Sequence, residues 1–306
     1  MRHLLSLADV SAAEIQRIFD ISAKLKSQLK RREEHRLLPG RVAALLFQKP
    51  SLRTRVSFEA GMAHLGGSSM MLGDDVGWGK REATCDFARV LSEYIDVLIV
   101  RANAHADVEE LTQFATVPVI NALTECFHPC QALADLFTLR ELRGDVAGLN
   151  LTFVGDGNNV SRSLAFACGH LGVKFTLAGP EQYSFDASFQ QRLREVVPNL
   201  ELVLTDDVQA AVRGAHAVYT DVWTSMGQDG EREARAKAFA PYQVNGELMS
   251  LAPDAYFMHD LPARRGQEVT DEVIDSPNSV IVQQAGNRMH AQKGLLAWLL
   301  SEANST

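Results

Sequence analysis

Short apolar runs recur along the chain at residues 42–47, 97–100, 117–120, 151–154, 175–178, 201–204, 217–220, 256–259 and 280–282. They are continuous rather than alternating, the pattern of strands covered on both faces. Between them, apolar residues return every three or four positions over residues 55–65, 83–94, 130–143 and 161–171, which predicts helices. Strand and helix alternate throughout, so the predicted class is α/β with parallel sheets. At 306 residues the chain can hold two domains. The glycine-bearing stretch 143–150 ends a long helix and precedes a strand, which makes it the expected boundary. A final apolar helix over 291–300 can return to the first half. The expected domains are therefore 1–143 with 290–306, and 148–289.

Composition narrows the function classes. The net charge of −8 disfavours broad contact with a polyanion, so no nucleic-acid partner is expected. No apolar run approaches the roughly 20 residues of a membrane span, and the N-terminal stretch turns polar too early for a signal peptide. The four cysteines, Cys85, Cys126, Cys130 and Cys168, form no C-x-x-C pair; a reduced cytoplasmic chain is expected. The spacing Cys126-Phe-His128-Pro-Cys130 lacks the second ligand pair of a structural zinc site, so no metal is expected.

One local feature resists this ordinary picture. The run 42–47 ends in Lys49-Pro50-Ser51-Leu52-Arg53-Thr54-Arg55, after which helical spacing resumes at Val56, Phe58, Met62 and Leu65 until Gly66-Gly67. Ser51 is placed to cap that helix, whose first-turn amides are then unpaired donors. Arginines in a first helical turn oppose the helix dipole, which favours acids there. Either the turn is solvated, or an anion such as phosphate occupies it.

This segment resembles the S-T-R-T-R carbamoyl-phosphate loop of the aspartate/ornithine carbamoyltransferase family, with Leu52 in place of a threonine. Four further motifs of that family follow in order: His128-Pro129-Cys130-Gln131 resembles HPxQ, Asp156-Gly157-Asn158-Asn159 resembles DGNN, Asp221 to Gly227 resembles DxxxSMG, and Gly286-Asn287-Arg288 resembles xNR. The resemblance implies two α/β domains, each a parallel sheet flanked by helices, with the active site in the cleft between them. It assigns the phosphate to Ser51, the Leu52 amide, Arg53, Thr54 and Arg101. His128 and Gln131 fall on the carbamoyl oxygen and nitrogen, Arg288 is a further contact, and Leu261 completes the carbamoyl-phosphate set. Asn159, Asp221, Ser225 and Met226 fall on the amino acid, and the SMG element implies ornithine rather than aspartate as acceptor. Catalytic roles go to Arg101, His128 and Asp260. No cofactor is implied, since fixed donors aimed at a charging oxygen supply this kind of catalysis. A homotrimer, or a multiple of it, is implied, with Lys80 of the loop 74–82 entering the neighbouring subunit's phosphate site.

Three points qualify the resemblance. The ornithine enzymes carry HCLP where this chain has His259-Asp260-Leu261-Pro262. A second carboxylate beside the attacking amine favours the ammonium and raises its apparent pKa, or else accepts its proton. That departure leaves putrescine or an N-acylated ornithine as alternative acceptors. Second, Gly155-Asp-Gly157-Asn-Asn-Val160 imitates a dinucleotide-binding turn, but Val160 stands where the third glycine belongs. Third, a non-catalytic sensor on the same fold would have no use for the full set Arg53, Thr54, Arg101, His128, Gln131 and Arg288.

Overall fold

The structure, a computed structural model, describes residues 2–224 and 229–301. In chain order the first part runs α1 (Ala12–Lys30), β1 (Val42–Phe47), α2 (Leu52–His64), β2 (Ser68–Leu72), α3 (Thr84–Ser92), β3 (Val97–Arg101), α4 (His105–Phe114), β4 (Val119–Leu123) and α5 (Pro129–Arg143). It continues through β5 (Asn150–Val154), α6 (Asn159–Leu171), β6 (Lys174–Ala178), α7 (Ala187–Val196), β7 (Leu202–Thr205), α8 (Val208–Val212) and β8 (Ala217–Thr220). The remainder is α9 (Arg232–Phe239), α10 (Gly246–Met249), β9 (Tyr256–His259), α11 (Asp271–Ile274) and α12 (Ile281–Ser301). Two compact units result, one of Met1–Phe137 with Gly286–Thr306, the other of Thr138–Ala285. The chain passes from one to the other inside α5 and inside α12. No described helix is long and apolar enough to cross a membrane.

In the first unit four parallel strands lie in the order β2-β1-β3-β4. Residues 43–47 of β1 and all of β3 are buried, as a sheet with helices on both faces requires. Helix α1 buries Ile15, Ile18, Phe19 and Leu25, and its Ser11 and Glu14 form a reciprocal capping box. Helix α12 packs against α1 so closely that a Cβ at Gly294 would lie 2.0 Å from Ser22 Oγ. Any other residue at 294 would force the two helices apart.

In the second unit five parallel strands lie in the order β7-β6-β5-β8-β9. Its centre stacks Phe153 on Tyr219 with ring centroids 5.3 Å apart, both fully buried. In each sheet the chain first builds outward on one side of its first strand and then returns to the other side. Such a reversal leaves a crevice outside the carboxyl ends of the two strands that flank it, the usual ligand position in open α/β sheets. In the first unit these strands are β1 and β3; in the second they are β5 and β8.

Two elements differ from the sequence expectation. Residues 280–282, read as a strand, instead open α12: Val280 N–H makes one strand-like bond to Phe257 O at 3.0 Å, and the helix starts at Ile281. Three apolar residues carry no period of their own, and Val282 is exposed on the helix surface. Conversely, the sequence expectation omitted β2, an edge strand with no fully buried residue, whose apolar part is only Met70-Met71-Leu72.

Candidate active site

The first crevice gathers most of the residues expected to hold phosphate. The turn after β1 leads into α2, where Ser51 is the N-cap: its Oγ accepts from Thr54 N–H at 3.4 Å and donates to Thr54 Oγ1 at 3.0 Å. No acid occupies the first turn of α2. Arg53 is half-buried, whereas the Leu52 side chain is 75% exposed, which leaves its backbone as the useful part of that residue. Arg101 ends β3, buried, in register with Phe47 of β1.

Helices α5 and α12 bring their motifs to the same cluster. Arg288 Nη2 donates to Thr54 Oγ1 at 2.7 Å, and its Nη1 donates to Gln131 Oε1 at 2.5 Å. One guanidinium thus joins the first turn of α2, the start of α5 and helix α12. His128, just before α5, is buried. Burial, and then the charges of Arg288 and Arg101, hold its imidazole well below the usual histidine range, so it is neutral at pH 7. Burial also pushes the Cys130 thiol up to about 12, far from the thiolate that metal binding or nucleophilic attack needs. Lys80 is exposed, in a tight turn where its N–H bonds Gly77 O at 2.9 Å. Trp78 of the same loop is a buried core residue.

The second crevice, at the ends of β5 and β8, holds carboxylates. Asn158 caps α6, its Oδ1 accepting from Val160 and Ser161 N–H at 3.0 Å each, while its Nδ2 donates to Asp221 Oδ2 at 2.8 Å. Asn159 is the first residue of α6 and half-buried. Asp221, His259 and Asp260 offer atoms all within 4.8 Å of one another. Burial, and then the Asp260 charge, push the Asp221 carboxyl well above the usual carboxylate range. That set could surround a cation, and an amine's ammonium is one such cation.

His259 sits among acids. Its Nε2 lies 3.2 Å from Oε1 of the fully buried Glu268, and its Nδ1 lies 3.2 Å from Asp260 Oδ1 and 2.9 Å from Leu261 N. Burial lowers the imidazole's pKa, but hydrogen bonds to Asp260 and Glu268 outweigh it and raise the value to about 10. When neutral, Nδ1 can accept the Leu261 amide hydrogen; when protonated, it donates to Asp260, with Nε2 on Glu268 in both states. Leu261 adopts φ +61°, a left-handed conformation that costs a branched residue of order 1–3 kcal/mol and that clusters at functional sites. Its amide bonds His259 Nδ1, so within the second unit it belongs to this group. Ser225 and Met226 lie outside the described residues.

Behind Asn158 and Asp221 lies an ion pair that sequence reading did not find. Arg235 of α9 is buried and bonds both Asp156 Oδ2 and Trp223 O. Its guanidinium also lies 4.7 Å from the Tyr183 ring centroid and 5.4 Å from that of Phe239. A single side chain therefore ties the turn after β5 to the turn after β8. Glu268 was missed as well, since nothing local in Arg-Arg-Gly-Gln-Glu-Val marks it as buried.

Comparison with known proteins agrees with this geometry. Residues 2–141 match the carbamoyl-P binding domain of aspartate/ornithine carbamoyltransferase, and residues 147–299 match the Asp/Orn binding domain. The chain belongs to the aspartate/ornithine carbamoyltransferase family. It is 50% identical over 305 residues to the anabolic ornithine carbamoyltransferase of Pyrococcus furiosus, covering 98% of this chain and 96% of that protein. Among solved structures it is similar to ornithine carbamoyltransferase from Pyrococcus furiosus, with TM-score 0.94 and 48% identity over 98% of this chain and 97% of the other. The anabolic ornithine carbamoyltransferase from Campylobacter jejuni aligns with TM-score 0.92 and 32% identity over the whole of both chains.

Proposed function

We propose that this enzyme transfers the carbamoyl group of carbamoyl phosphate to the δ-amine of L-ornithine, giving L-citrulline and phosphate. The observation that carries the proposal is the Thr54–Arg288–Gln131 hydrogen-bonded group, which joins three separate sequence motifs beside the capped N-terminus of α2. Ser51, the Leu52 amide, Arg53, Thr54 and Arg101 take the phosphate. Neutral His128, with Arg101, donates to the carbonyl oxygen, which gains charge as the amine nitrogen adds to carbon. The carbon–oxygen bond to phosphate then breaks and phosphate leaves with the electron pair.

The amine must be neutral to attack. Asp221 and Asp260 receive the ornithine δ-ammonium, and one of these two carboxylates takes up the proton it sheds, with His259 bracing Asp260 and Glu268 holding the ring in place. Asn159, with Ser225 and Met226, grips the amino-acid end. Asp260 leaves one chemical alternative, another amine as acceptor. Parallel assays with ornithine, putrescine, N-acetylornithine, N-succinylornithine and aspartate decide it: turnover of ornithine alone supports the proposal, and turnover of a different amine with ornithine silent overturns the acceptor.

We further propose that the chain works as a homotrimer with Lys80 reaching a neighbour's phosphate site. Exposed Leu52 and Val56 on α2, and Val90 and Tyr94 on and just after α3, supply apolar surface for such contacts. Light scattering should give the mass of three chains of 33.6 kDa or a multiple of it; a monomer contradicts this arrangement.

A further inference from the structure

The side-chain amide of Gln131 is held at both ends. Arg288 Nη1 donates to its Oε1 at 2.5 Å, and its Nε2 donates to Asp135 Oδ1 at 2.8 Å, one turn further along α5. Gln131 and Asp135 are both fully buried. Which end of an amide is oxygen follows from its neighbours. A guanidinium only donates and a carboxylate only accepts, so Gln131 fits one way round: oxygen toward Arg288, nitrogen toward Asp135.

The oxygen end is also the end that faces the reaction. The same Arg288 bonds Thr54 Oγ1 at 2.7 Å, within the phosphate cluster. The cluster is otherwise rich in donors: the α2 amides, Arg53, Arg101 and Arg288. Gln131 Oε1 has two lone pairs and Arg288 takes one, so the second is an acceptor among donors. Carbamoyl phosphate and acetyl phosphate share a phosphate and a carbonyl and differ by NH2 against CH3. Only the first can donate to that acceptor.

We propose that Asp135 is a specificity-determining positioning residue: by fixing the orientation of the Gln131 amide, it selects carbamoyl phosphate over acetyl phosphate. This rests on the carbamoyl-transfer reading. Asp135 acts through Gln131. Without its acceptor oxygen, the Gln131 NH2 lacks a buried partner and the amide is free to turn. Selection by size alone is weak between groups this similar, whereas a site built to hydrogen-bond one group rejects the analogue that lacks it.

The test measures three constants in the intact enzyme with ornithine saturating: KM for carbamoyl phosphate, Ki for acetyl phosphate and Ki for inorganic phosphate. The ratio of acetyl-phosphate Ki to carbamoyl-phosphate KM should fall about tenfold or more in Asp135→Ala and about threefold in Asp135→Asn, which keeps an oxygen but is no longer acceptor-only. The phosphate Ki should stay within about twofold, since Ser51, Arg53, Thr54 and Arg101 are untouched. An unchanged ratio, or equal weakening of all three ligands, overturns the proposal. If Asp135→Ala does not fold, Asp135→Asn decides alone, and an unchanged ratio there is equally fatal. A wild-type enzyme with no carbamoyl transfer at all sinks the underlying reading instead, a result distinct from either.

Discussion

Replacing Arg235 by Met should separate what holds the second unit together from what positions its site. The substitution keeps an apolar stem of similar length but removes the ion pair to Asp156, the bond to Trp223 O and the contacts over Tyr183 and Phe239. Arg235 is 3% and Asp156 9% exposed, so the stranded carboxylate has little access to water. Breaking a buried pair by removing one partner costs about 3–5 kcal/mol. For a unit of this size that lowers the midpoint of thermal unfolding by about 6–20 °C. Urea denaturation followed by circular dichroism measures the free-energy loss, and a thermal scan measures the midpoint. In the double variant Asp156→Leu/Arg235→Met no charge is stranded, and most of the stability should return. The KM for ornithine should nevertheless stay raised in both variants, because the turns bearing Asn158 and Asp221 have lost their common tie. A loss below about 1 kcal/mol in the single variant would show that water reaches Asp156 and refute the reasoning. A normal ornithine KM in the double variant would refute the positioning role.

Three other outcomes follow from the geometry. His128→Ala should lower kcat by about 10²–10³ with little change in phosphate affinity, because it removes a donor to the charging oxygen; a kcat within a few fold of wild type contradicts that role. Asp260→Cys removes one of two carboxylates that favour the ammonium, so the acid limb of the kcat/KM profile should move to lower pH by about one unit; an unmoved limb means Asp260 does not sense the amine. Lys293, whose Nζ lies 2.6 Å from His35 Nε2, is pushed down to about 8 from 10.5 by burial. Its lowered pKa means that the unfolded chain binds more protons between these values. Wild type should therefore gain stability relative to Lys293→Met as pH rises from about 8 to about 10.5, and parallel stability curves would contradict this.

How much was legible varied with how local the signal is. The turn after β1 could be read because a proline, a cap, two arginines and a helical period follow one another within sixteen residues, Pro50 to Leu65. The strand order could not be read, yet it is the order that puts the turns after β1 and β5 beside β3 and β8. The resemblance to a known family supplied that pairing in advance. Long-range partners were invisible: Asp156 and Arg235 are 79 residues apart, and Gln131 and Arg288 are 157 apart. The motif drew attention to Asn159, whereas the cap and the bond to Asp221 belong to Asn158. Residues 280–282 were misread because a short apolar run fits a strand and a helix start equally well.

The decisive experiment is to incubate the purified protein with carbamoyl phosphate and ornithine and to follow citrulline and inorganic phosphate together. Both should appear at the same rate, one for one, and both should stop when ornithine is left out. Phosphate release without citrulline, or binding of carbamoyl phosphate with no turnover of any amine, would contradict carbamoyl transfer to ornithine as the activity of this chain.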